Sequence, residues 1–361
     1  MITTIKIPRA VPAILALTLF SVQAAPAQET ELFPGEVTEI VSGLDMPWGL
    51  AFLPDGTALV SERRSARILR IDPETGRVQE SGVVPDMEFS AEGGLLGLAV
   101  SPTFEEDRTV FAYVSSLPTN RVVALILSER LDSFAFDRVV LDGIGTANRH
   151  HGGRLRFGPD GHLWIGTGDA FDPPRAQDRT SLNGKVLRIN PDGSVPEDNP
   201  YGTSVFSIGH RNVQGLDFGP DGTLYASELG WNDWDELNVV QAGANYGWPM
   251  SEGPDGELGV PPIYALRPSE ASPSGIAYAG AAIWMGTLHG QRLWRLPVRN
   301  GEVAGEPEVY FNEEYGRMRA VELAPDGSLW IVTSNTDGAT LGGTPPRGGD
   351  DRILRLELVP R

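Results

Sequence analysis

A short motif recurs six times along the chain, and this repeat constrains the fold more than any other feature. Each copy has apolar residues four and two positions before a turn proline or its substitute, as in "WGLAFLPDGT" and "QGLDFGPDGT". The turn positions are 54, 102, 159, 220, 280 and 325, so successive copies lie 48, 57, 61, 60 and 45 residues apart. A unit of about 50 residues cannot bury its apolar face alone, so the units must pack on one another.

The alternation within each copy predicts a β-strand with one buried face, and the Pro-Asp-Gly turn predicts a hairpin to a second strand. The 43 glycines and 29 prolines suit short strands joined by tight turns. We therefore predict an all-β fold, a six-bladed β-propeller over residues 28–361, because a β-sandwich lacks a repeat of this length. The stretch "VTEIVSGL", residues 37–44, is expected to supply the outer strand of the last blade.

Residues 1–27 have the pattern of a secretory signal peptide. Lys6 and Arg9 precede an apolar run from Ala10 to Val22, and "APA" at residues 25–27 suits cleavage. The run is short and interrupted by proline, which disfavours a membrane span. We therefore expect a periplasmic or secreted protein. Because the chain has no cysteine, it can form no disulfide and perform no thiol catalysis.

The formal charge is −19 at pH 7, so the chain lacks the basic footprint with which proteins bind nucleic acids or anionic membranes. Cationic residues are nevertheless concentrated just before the first strand of several units. In a propeller these positions converge on the mouth of the central channel, and we interpret them as a functional pocket. The residues so placed are Glu92, Gly93, His150, His151, Arg211, Asn212, Ala271, Ser272, Arg317 and Arg319.

The hairpin "NRHHGGRLRFGPDGHLWIGTGDA", residues 148–170, carries a candidate general base. If Gly158 and Gly161 close its turn, His150 lies opposite Asp169 with their Cβ atoms roughly 5 Å apart. A carboxylate beside an imidazole fixes its tautomer and raises its basicity. The alternative is that His150 only caps a strand end. Adjacent strand residues point to opposite faces, so His151 is expected to be structural rather than half of a two-histidine metal site.

Two further clusters suggest ligands. Arg317 and Arg319 are two residues apart on a strand and point the same way, which suits an anion with several carboxylates or phosphates; the alternative is ion pairing with surface acids. The loop "ELGWNDWDELN", residues 228–238, offers free carbonyls and acids to a hard cation such as calcium; the alternative is a solvated acidic loop. The acids that we consider as ligands are Asp233, Asp235 and Glu236.

At these residues the sequence resembles the soluble quinoprotein sugar dehydrogenases, the glucose/sorbosone dehydrogenase family. The resemblance covers essentially all of residues 28–361 and is carried by "EGGLLGLAVSPTF", "HHGGRLRFGPDG", "GHRNVQGLDFGPDG", "DELNVVQAGANYGWP" and "GRMRAVELAPDG". It implies a six-bladed propeller that binds pyrroloquinoline quinone (PQQ) and calcium. It also implies a sugar substrate and an external electron acceptor.

The resemblance assigns roles residue by residue. It implies that His150 is the catalytic base and that Asp169 is its partner. Arg211 and Asn212 match residues over the quinone, Arg317, Arg319 and Asp235 match cofactor contacts, Gly230 and Trp231 match backbone calcium ligands, and Gln177 matches a substrate contact. The chain departs from the family at Glu92, where glutamine is usual, at His289, near a common lysine, and at Trp231, where proline is usual.

We therefore expect PQQ- and calcium-dependent oxidation of an aldose sugar in the periplasm, by hydride transfer to the quinone. One alternative is a calcium-dependent, lactonase-like hydrolase on the same fold, which would need a side-chain metal cage in the channel. The other alternative is a non-catalytic sugar-binding propeller that has lost its cofactor, and Glu92 and His289 are the residues that favour it.

Overall fold

The computed structural model describes residues 1, 3, 29–256, 258–338, 346 and 348–361. Apart from residues 1 and 3, the predicted signal peptide at 1–27 lies outside the described residues, and the domain boundary at residue 28 stays a prediction. None of the helices in these ranges is long and apolar enough to cross a membrane.

Strands dominate the described residues and form six separate antiparallel sheets, one for each repeat. Blade one contains β2 (Pro47–Phe52), β3 (Ala58–Glu62), β4 (Arg67–Ile71) and β5 (Val78–Val83). Blade two contains β6 (Leu95–Val100), β7 (Thr109–Val114), β8 (Thr119–Leu127) and β9 (Phe134–Gly145). Blade three contains β10 (Gly152–Phe157), β11 (Leu163–Thr167), β12 (Lys185–Ile189) and β13 (Val205–Ile208).

The remaining blades follow the same order along the chain. Blade four contains β14 (Val213–Phe218), β15 (Leu224–Glu228), β16 (Asp235–Val239) and β17 (Tyr264–Leu266). Blade five contains β18 (Pro273–Ala279), β19 (Ala282–Thr287), β20 (Leu293–Arg299), β21 (Glu302–Val303) and β22 (Glu308–Tyr310). Blade six contains β23 (Met318–Leu323), β24 (Leu329–Thr333), β25 (Arg352–Pro360) and β1 (Leu32–Ser42). The described helices are short: α1 (Phe104–Asp107), α2 (Asn335–Gly338) and a 3₁₀ turn (Pro173–Ala176).

The prediction of a six-bladed β-propeller is confirmed, including the way the ring closes. Strand β1 from the start of the chain pairs antiparallel with β25 from its end, from Leu32 opposite Pro360 to Ser42 opposite Arg352. Residues 37–42 of the expected stretch 37–44 lie in the outer strand of blade six, which begins earlier, at Leu32, and ends at Ser42. Strand β25 is thereby covered on both sides, and β1 forms the outer edge of the sheet.

The Pro-Asp-Gly turns share one geometry, and it corrects the predicted register. In blade three the amide of Gly158 donates to the carbonyl of His162 at 3.0 Å, and Gly161 adopts φ of 77°. This is a three-residue loop that ends in a left-handed residue. Asp160 Oδ1 accepts the His162 amide at 3.1 Å and so braces the loop. The prediction that Gly158 pairs with Gly161 is therefore wrong by one residue.

A β-bulge at the open end of the same hairpin cancels this offset. Arg154 pairs with Gly166, whereas Gly152 pairs with Thr167, so Gly153 is the extra residue. The residues beyond Gly152 and Thr167 consequently meet in the register expected from the sequence. A register shift occurs near the start of the first strand in each of the six described blades. Such bulges re-aim side chains at the rim of a closed sheet, and here they do so at the channel mouth.

Small residues on the first strands let neighbouring blades approach closely around the axis. Gly49, Gly97, Gly215, Gly275 and Ala320 occupy equivalent positions, five residues before each turn position. An added Cβ at Gly97 would lie 2.2 Å from the carbonyl oxygen of Gly153 in the next blade. One at Gly215 would lie 2.4 Å from the carbonyl oxygen of Ser274. Backbone therefore meets backbone at the glycine positions, where an added side chain would collide with the next blade.

Blade three carries Arg154 instead of a small residue at this position. Its guanidinium lies 4.4 Å from the ring centroid of Trp48 in blade one. Arg154 Nε donates to the carbonyl of Gln214 in blade four at 2.8 Å. The side chain is 3 % exposed and spans the interior between three blades, so it ties opposite sides of the ring together.

We predict that Gly97→Ala destabilises the propeller, because its Cβ would collide with the backbone of blade three. Overpacking of this kind costs about 1–3 kcal/mol of unfolding free energy, so the melting temperature should fall by a few degrees. Gly348→Ala is the control, since an added Cβ there meets nothing within 4 Å. Circular dichroism melts of both variants decide the matter. Equal melting temperatures would contradict the close approach of the blades.

Candidate active site

The channel mouth holds two neighbouring cavities, and all the predicted ring residues except Gly93 and Ala271 line one or the other. The central cavity has a volume of about 230 Å³ and draws residues from all six blades. Its lining is Trp48, Arg63, Glu92, His151, Gly152, Asn212, Gln214, Leu229, Ser272, Leu288, His289, Arg317, Arg319 and Asp337. The side cavity has a volume of about 180 Å³ and is lined by His150, Asp169, Phe171, Pro173, Arg211, Trp231 and Trp248. The chain alternates between them at His150/His151 and at Arg211/Asn212.

His150 and Asp169 meet as the hairpin argument predicted. His150 Nδ1 lies 2.7 Å from Asp169 Oδ1, and both side chains are buried. With Nδ1 donating to the carboxylate, Nε2 is the free acceptor of the neutral ring. His150 is not in a strand, since its φ is 59°. Its amide donates to Glu92 Oε2 at 2.8 Å, so Glu92 holds the backbone of the histidine in this unusual conformation.

The Asp169 carboxylate also organises the wall of the side cavity. Its Oδ1 accepts the amide of Phe171 at 2.9 Å, and its Oδ2 accepts the indole Nε1–H of Trp248 at 2.9 Å. Asp169 is fully buried. One carboxylate therefore positions the imidazole and two aromatic residues. Sequence reasoning did not single out Phe171 or Trp248 as part of this site.

His151 has the structural role expected for it. Its Nδ1 lies 3.2 Å from both Ser115 Oγ and Asn120 Oδ1, and its Nε2 lies 3.4 Å from Ser90 Oγ. The ring is 3 % exposed, and burial lowers the pKa of His151 to about 4. The ring is therefore neutral at pH 7 and joins blades two and three through neutral hydrogen bonds.

The arginines of the central cavity surround a buried carboxylate that sequence reasoning missed. Asp337 Oδ1 accepts a hydrogen bond from Arg63 Nη2 at 2.7 Å, and its Oδ2 accepts one from Arg319 Nη2 at 2.9 Å. Arg317 Nη2 lies 3.9 Å from Oδ2. Burial alone would raise the pKa of Asp337, but these guanidinium groups hold it below its usual value. Burial lowers the pKa of Arg317 to about 10, so Arg317 remains charged at neutral pH.

Arg63 and Asp337 could have been found by extending the ring argument. Residues just before each first strand converge on the channel mouth, and the second strand of each hairpin returns to the same end. Arg63 follows β3, Asp169 follows β11 and Asp337 follows β24. A prediction built on strand starts alone does not reach Arg63 or Asp337. The pairing of the blade-three hairpin reaches Asp169, because it lies opposite His150.

Arg211 and Asn212 lie between the cavities. Arg211 donates through Nη1 to the Leu229 carbonyl at 3.1 Å, and its guanidinium lies 5.4 Å from the ring centroid of Trp248. Burial lowers the pKa of Arg211. Asn212 Oδ1 accepts the amide of Gly152 at 2.9 Å. The predicted catalytic arginine thus faces the side cavity, and the predicted cofactor-contacting asparagine faces the central one.

The acids of the 228–238 loop do not form one cluster, but Glu228 and Glu236 meet at Asn238, whose Nδ2 donates to Glu228 Oε1 at 2.9 Å and to Glu236 Oε2 at 3.1 Å. Asp235 Oδ1 and Oδ2 accept the amides of Gly230 at 2.9 Å and Ser272 at 2.7 Å, and burial raises the pKa of Asp235 to about 6. Glu236 accepts the Gly253 amide at 2.6 Å, while Asp233 is 77 % exposed. Within the described residues, no three histidine or acidic side chains are grouped to hold a metal ion. The calcium ligands implied by the resemblance, the backbone carbonyls of Gly230 and Trp231, stay a prediction.

Two predicted contacts differ in their surroundings. His289 is exposed and lines the central cavity. Gln177 lies behind Trp248: its Nε2 donates to the Trp248 carbonyl at 2.6 Å and to Asn245 Oδ1 at 2.9 Å. Gln177 and Asp235 are not among the residues that line the two cavities. Their roles as substrate and cofactor contacts stay predictions, and the structure gives both residues a supporting position.

Known proteins share this architecture and sequence. The sequence model described as Glucose / Sorbosone dehydrogenase matches residues 44–342. The chain belongs to this family. The structure of the PQQ-bound aldose sugar dehydrogenase from Streptomyces coelicolor has a TM-score of 0.87 and 46 % identity to it, covering 93 % of this chain and 100 % of that chain.

Two relatives from other bacteria agree with this assignment. The chain is 29 % identical to the aldose sugar dehydrogenase YliI of Escherichia coli, over 84 % of this chain and 91 % of that protein. It is 35 % identical to the quinoprotein glucose dehydrogenase B of Acinetobacter calcoaceticus, over 59 % of this chain and 52 % of that protein. The resemblance stated from the sequence is confirmed, as is the class of oxidoreductase acting on CH–OH groups.

The burial of His151 between blades two and three predicts that the free energy of unfolding falls at acidic pH. Its pKa is lowered to about 4 in the folded protein from 6.5, so between these values the unfolded chain binds a proton that the folded protein does not. The resulting stability is present above pH 6.5 and is lost as the pH falls toward 4, by about 3 kcal/mol at most. His151→Gln removes this titration and should flatten the dependence of the melting temperature on pH.

The measurement is a series of thermal melts between pH 7.5 and pH 4.5. His162→Gln, in the turn of the blade-three hairpin, is the control and should keep the pH dependence of the parent. A His151→Gln variant whose melting temperature follows the parent curve throughout would show that the pKa of His151 is not lowered on folding.

Proposed function

We propose that the protein oxidises the anomeric hydroxyl of an aldose sugar, with PQQ as hydride acceptor and calcium as the accompanying ion, in the periplasm. The observation that carries the proposal is the His150–Asp169 pair, joined at 2.7 Å, beside a channel lined by guanidinium groups. The named relatives of the chain support the reaction class, and the predicted signal peptide supports the location.

The central cavity fits a flat anion with several carboxylates. Arg63, Arg317 and Arg319 outnumber the Glu92 and Asp337 carboxylates in its lining by one charge. The Nε atoms of Arg63 and Arg319 are buried without a hydrogen-bond acceptor, so donors are in excess at this site. Charge-assisted hydrogen bonds from guanidinium groups are strong and suit carboxylate ligands. Arg317, Arg319, Asn212 and Arg63 would hold the cofactor.

Glu92 limits this attraction less than its charge suggests. Its carboxylate accepts the His150 amide at 2.8 Å, so one oxygen is committed to the protein. Arg63, whose charge interacts with Glu92, lies across the same cavity. A glutamine oxygen could accept the same amide, so Glu92 differs from the usual residue in its charge, which Arg63 offsets.

PQQ, when bound, supplies a quinone carbon that accepts the hydride. His150 Nε2 is the proton acceptor for the sugar hydroxyl, because Nδ1 is occupied by Asp169. Asp169 keeps the ring in place and stabilises the imidazolium that forms. Arg211 contributes positive charge at the edge of the same cavity, which stabilises negative charge as it develops on oxygen.

The backbone carbonyls of Gly230 and Trp231 would hold calcium, together with oxygen atoms of the cofactor. The nearby acids are bonded to backbone amides, so the protein alone offers a weak site. Calcium would act as a Lewis acid beside the cofactor. We therefore propose that calcium and PQQ bind cooperatively. The hydrolase alternative is disfavoured, because it needs a cage of metal-binding side chains in the channel, where Arg63, Arg317 and Arg319 stand instead.

We predict that the metal-stripped protein binds PQQ weakly in chelator and more tightly when calcium is added. The reason is that two neutral carbonyls need the charge of the cofactor to hold the ion. Absorbance titrations with PQQ, at zero and saturating calcium, measure the two affinities. If PQQ fails to bind under both conditions, the protein is a cofactor-free sugar-binding propeller. If the two titration curves coincide, calcium is not involved.

We predict that His150→Ala abolishes sugar oxidation but retains PQQ binding. Loss of a general base costs about 10²–10⁴-fold in rate, and His150 lines the side cavity rather than the central one. His162→Ala, in the blade-three turn, is the matched control. Steady-state oxidation of glucose with an artificial acceptor gives the rates, and near-normal turnover of His150→Ala would remove it from the role of base.

A further inference from the structure

We propose that Phe171 and Trp231 form two aromatic walls that bind the apolar faces of an aldopyranose ring and determine which sugars are oxidised. We call this pair the aromatic walls. The inference rests on the proposed function, because it names the substrate class of the same site. Neither side chain was assigned a substrate-binding role from the sequence; Trp231 was noted only for its backbone carbonyl.

The aromatic walls are large apolar side chains left open to solvent at a polar reactive centre. Phe171 is 64 % exposed and Trp231 is 63 % exposed. Both line the side cavity, together with His150, Asp169 and Arg211. Packing of the fold does not account for their exposure, since a core residue would be buried. Exposed aromatic residues that border a pocket are typical of ligand contacts.

Phe171 is held in place at a conformational cost. Ala170 and Phe171 have φ values of 54° and 59°, so two successive residues with side chains occupy the left-handed region. Residues with side chains rarely adopt this conformation, and such strain is concentrated at functional sites. The amide of Phe171 bonds to Asp169 Oδ1 at 2.9 Å, and its ring centroid lies 5.0 Å from that of His150. The turn thus fixes the phenyl ring next to the proposed base.

Trp231 is supported from behind by a residue that Asp169 also fixes. Its ring meets Trp248 edge to face, with centroids 6.0 Å apart and an interplanar angle of 87°. The indole N–H of Trp248 donates to Asp169 Oδ2 at 2.9 Å. The same carboxylate therefore sets the position of the proposed base and of the supports for both aromatic walls.

This arrangement selects a ring with apolar faces and a polar edge. Polar groups from His150, Asp169 and Arg211 lie among apolar surfaces from Phe171 and Trp231. An aldopyranose with mainly equatorial hydroxyls presents C–H groups on its faces and hydroxyls at its edge. A short open-chain hydroxyaldehyde has no such faces. The walls should therefore favour hexopyranoses over small aldehydes through binding, without acting on the reacting atoms.

The test compares Phe171→Ala and Trp231→Ala with the parent in steady-state oxidation of glucose. We expect KM to rise about tenfold in each variant and kcat to change less than twofold, because a stacking contact is worth roughly one factor of ten in affinity. Phe171→Tyr and Trp231→Phe keep an aromatic ring and should restore KM. Phe136→Ala removes an exposed phenyl ring from the outer strand of blade two, and its KM should match that of the parent.

Two binding readouts separate this proposal from the proposed function. PQQ affinity and its calcium dependence should be unchanged in the Phe171 variants, because Phe171 lines the side cavity and is not a proposed ligand of the cofactor or of calcium. Glucose or maltose should quench tryptophan fluorescence of the cofactor-free parent but not of Trp231→Ala. If PQQ does not bind the parent, the proposed function fails while the sugar titration still tests the walls. Unchanged KM in both alanine variants, or parental sugar affinity in the titration, would overturn the proposal.

Discussion

The buried carboxylate of Asp169 is the group on which the rest of the side cavity depends. It accepts hydrogen bonds from the imidazole of His150, the amide of Phe171 and the indole of Trp248. Its own amide donates to the Arg211 carbonyl at 2.8 Å, which joins blade three to blade four. A fully buried charge without partners would be strongly destabilising. These donors therefore satisfy the carboxylate and are positioned by it at the same time.

The central cavity solves a different electrostatic problem. Arg63, Arg317 and Arg319 come from blades one and six, which lie at opposite ends of the sequence, and they repel one another in a largely buried space. Asp337 bonds to Arg63 and Arg319 and offsets part of this repulsion. The arginines can thus be held in place for an anion while blades one and six stay packed together. Preorganised charge is the form in which electrostatic binding and catalysis are strongest.

Much of the site could be predicted because the repeat makes equivalent positions recognisable. His150, Asn212, Arg317 and Arg319 line the channel mouth as the strand starts indicated. The pairing of His150 with Asp169 was predicted from a turn register that is wrong by one residue, and the bulge at Gly153 cancelled the error. The alternation and the turn residues do not predict the position of that bulge. Arg63 and Asp337 follow the second strands of their hairpins, so a prediction from the starts of the first strands does not include them. The same topology brings the start of the first strand and the end of the second to the channel mouth.

The sequence by itself determined the number of blades, the hairpin turns, the closing strand and the residue types at the channel mouth. These follow from local periodicity and turn chemistry, which depend on neighbours along the chain. Only the tertiary structure decided how the ring residues divide between two cavities, that Gln177 supports Trp248, and that Asp235 bonds to backbone amides. Those outcomes depend on side chains separated by tens to hundreds of residues. Their directions are set by bulges, left-handed residues and the close approach of neighbouring blades, which have no local signature in the chain.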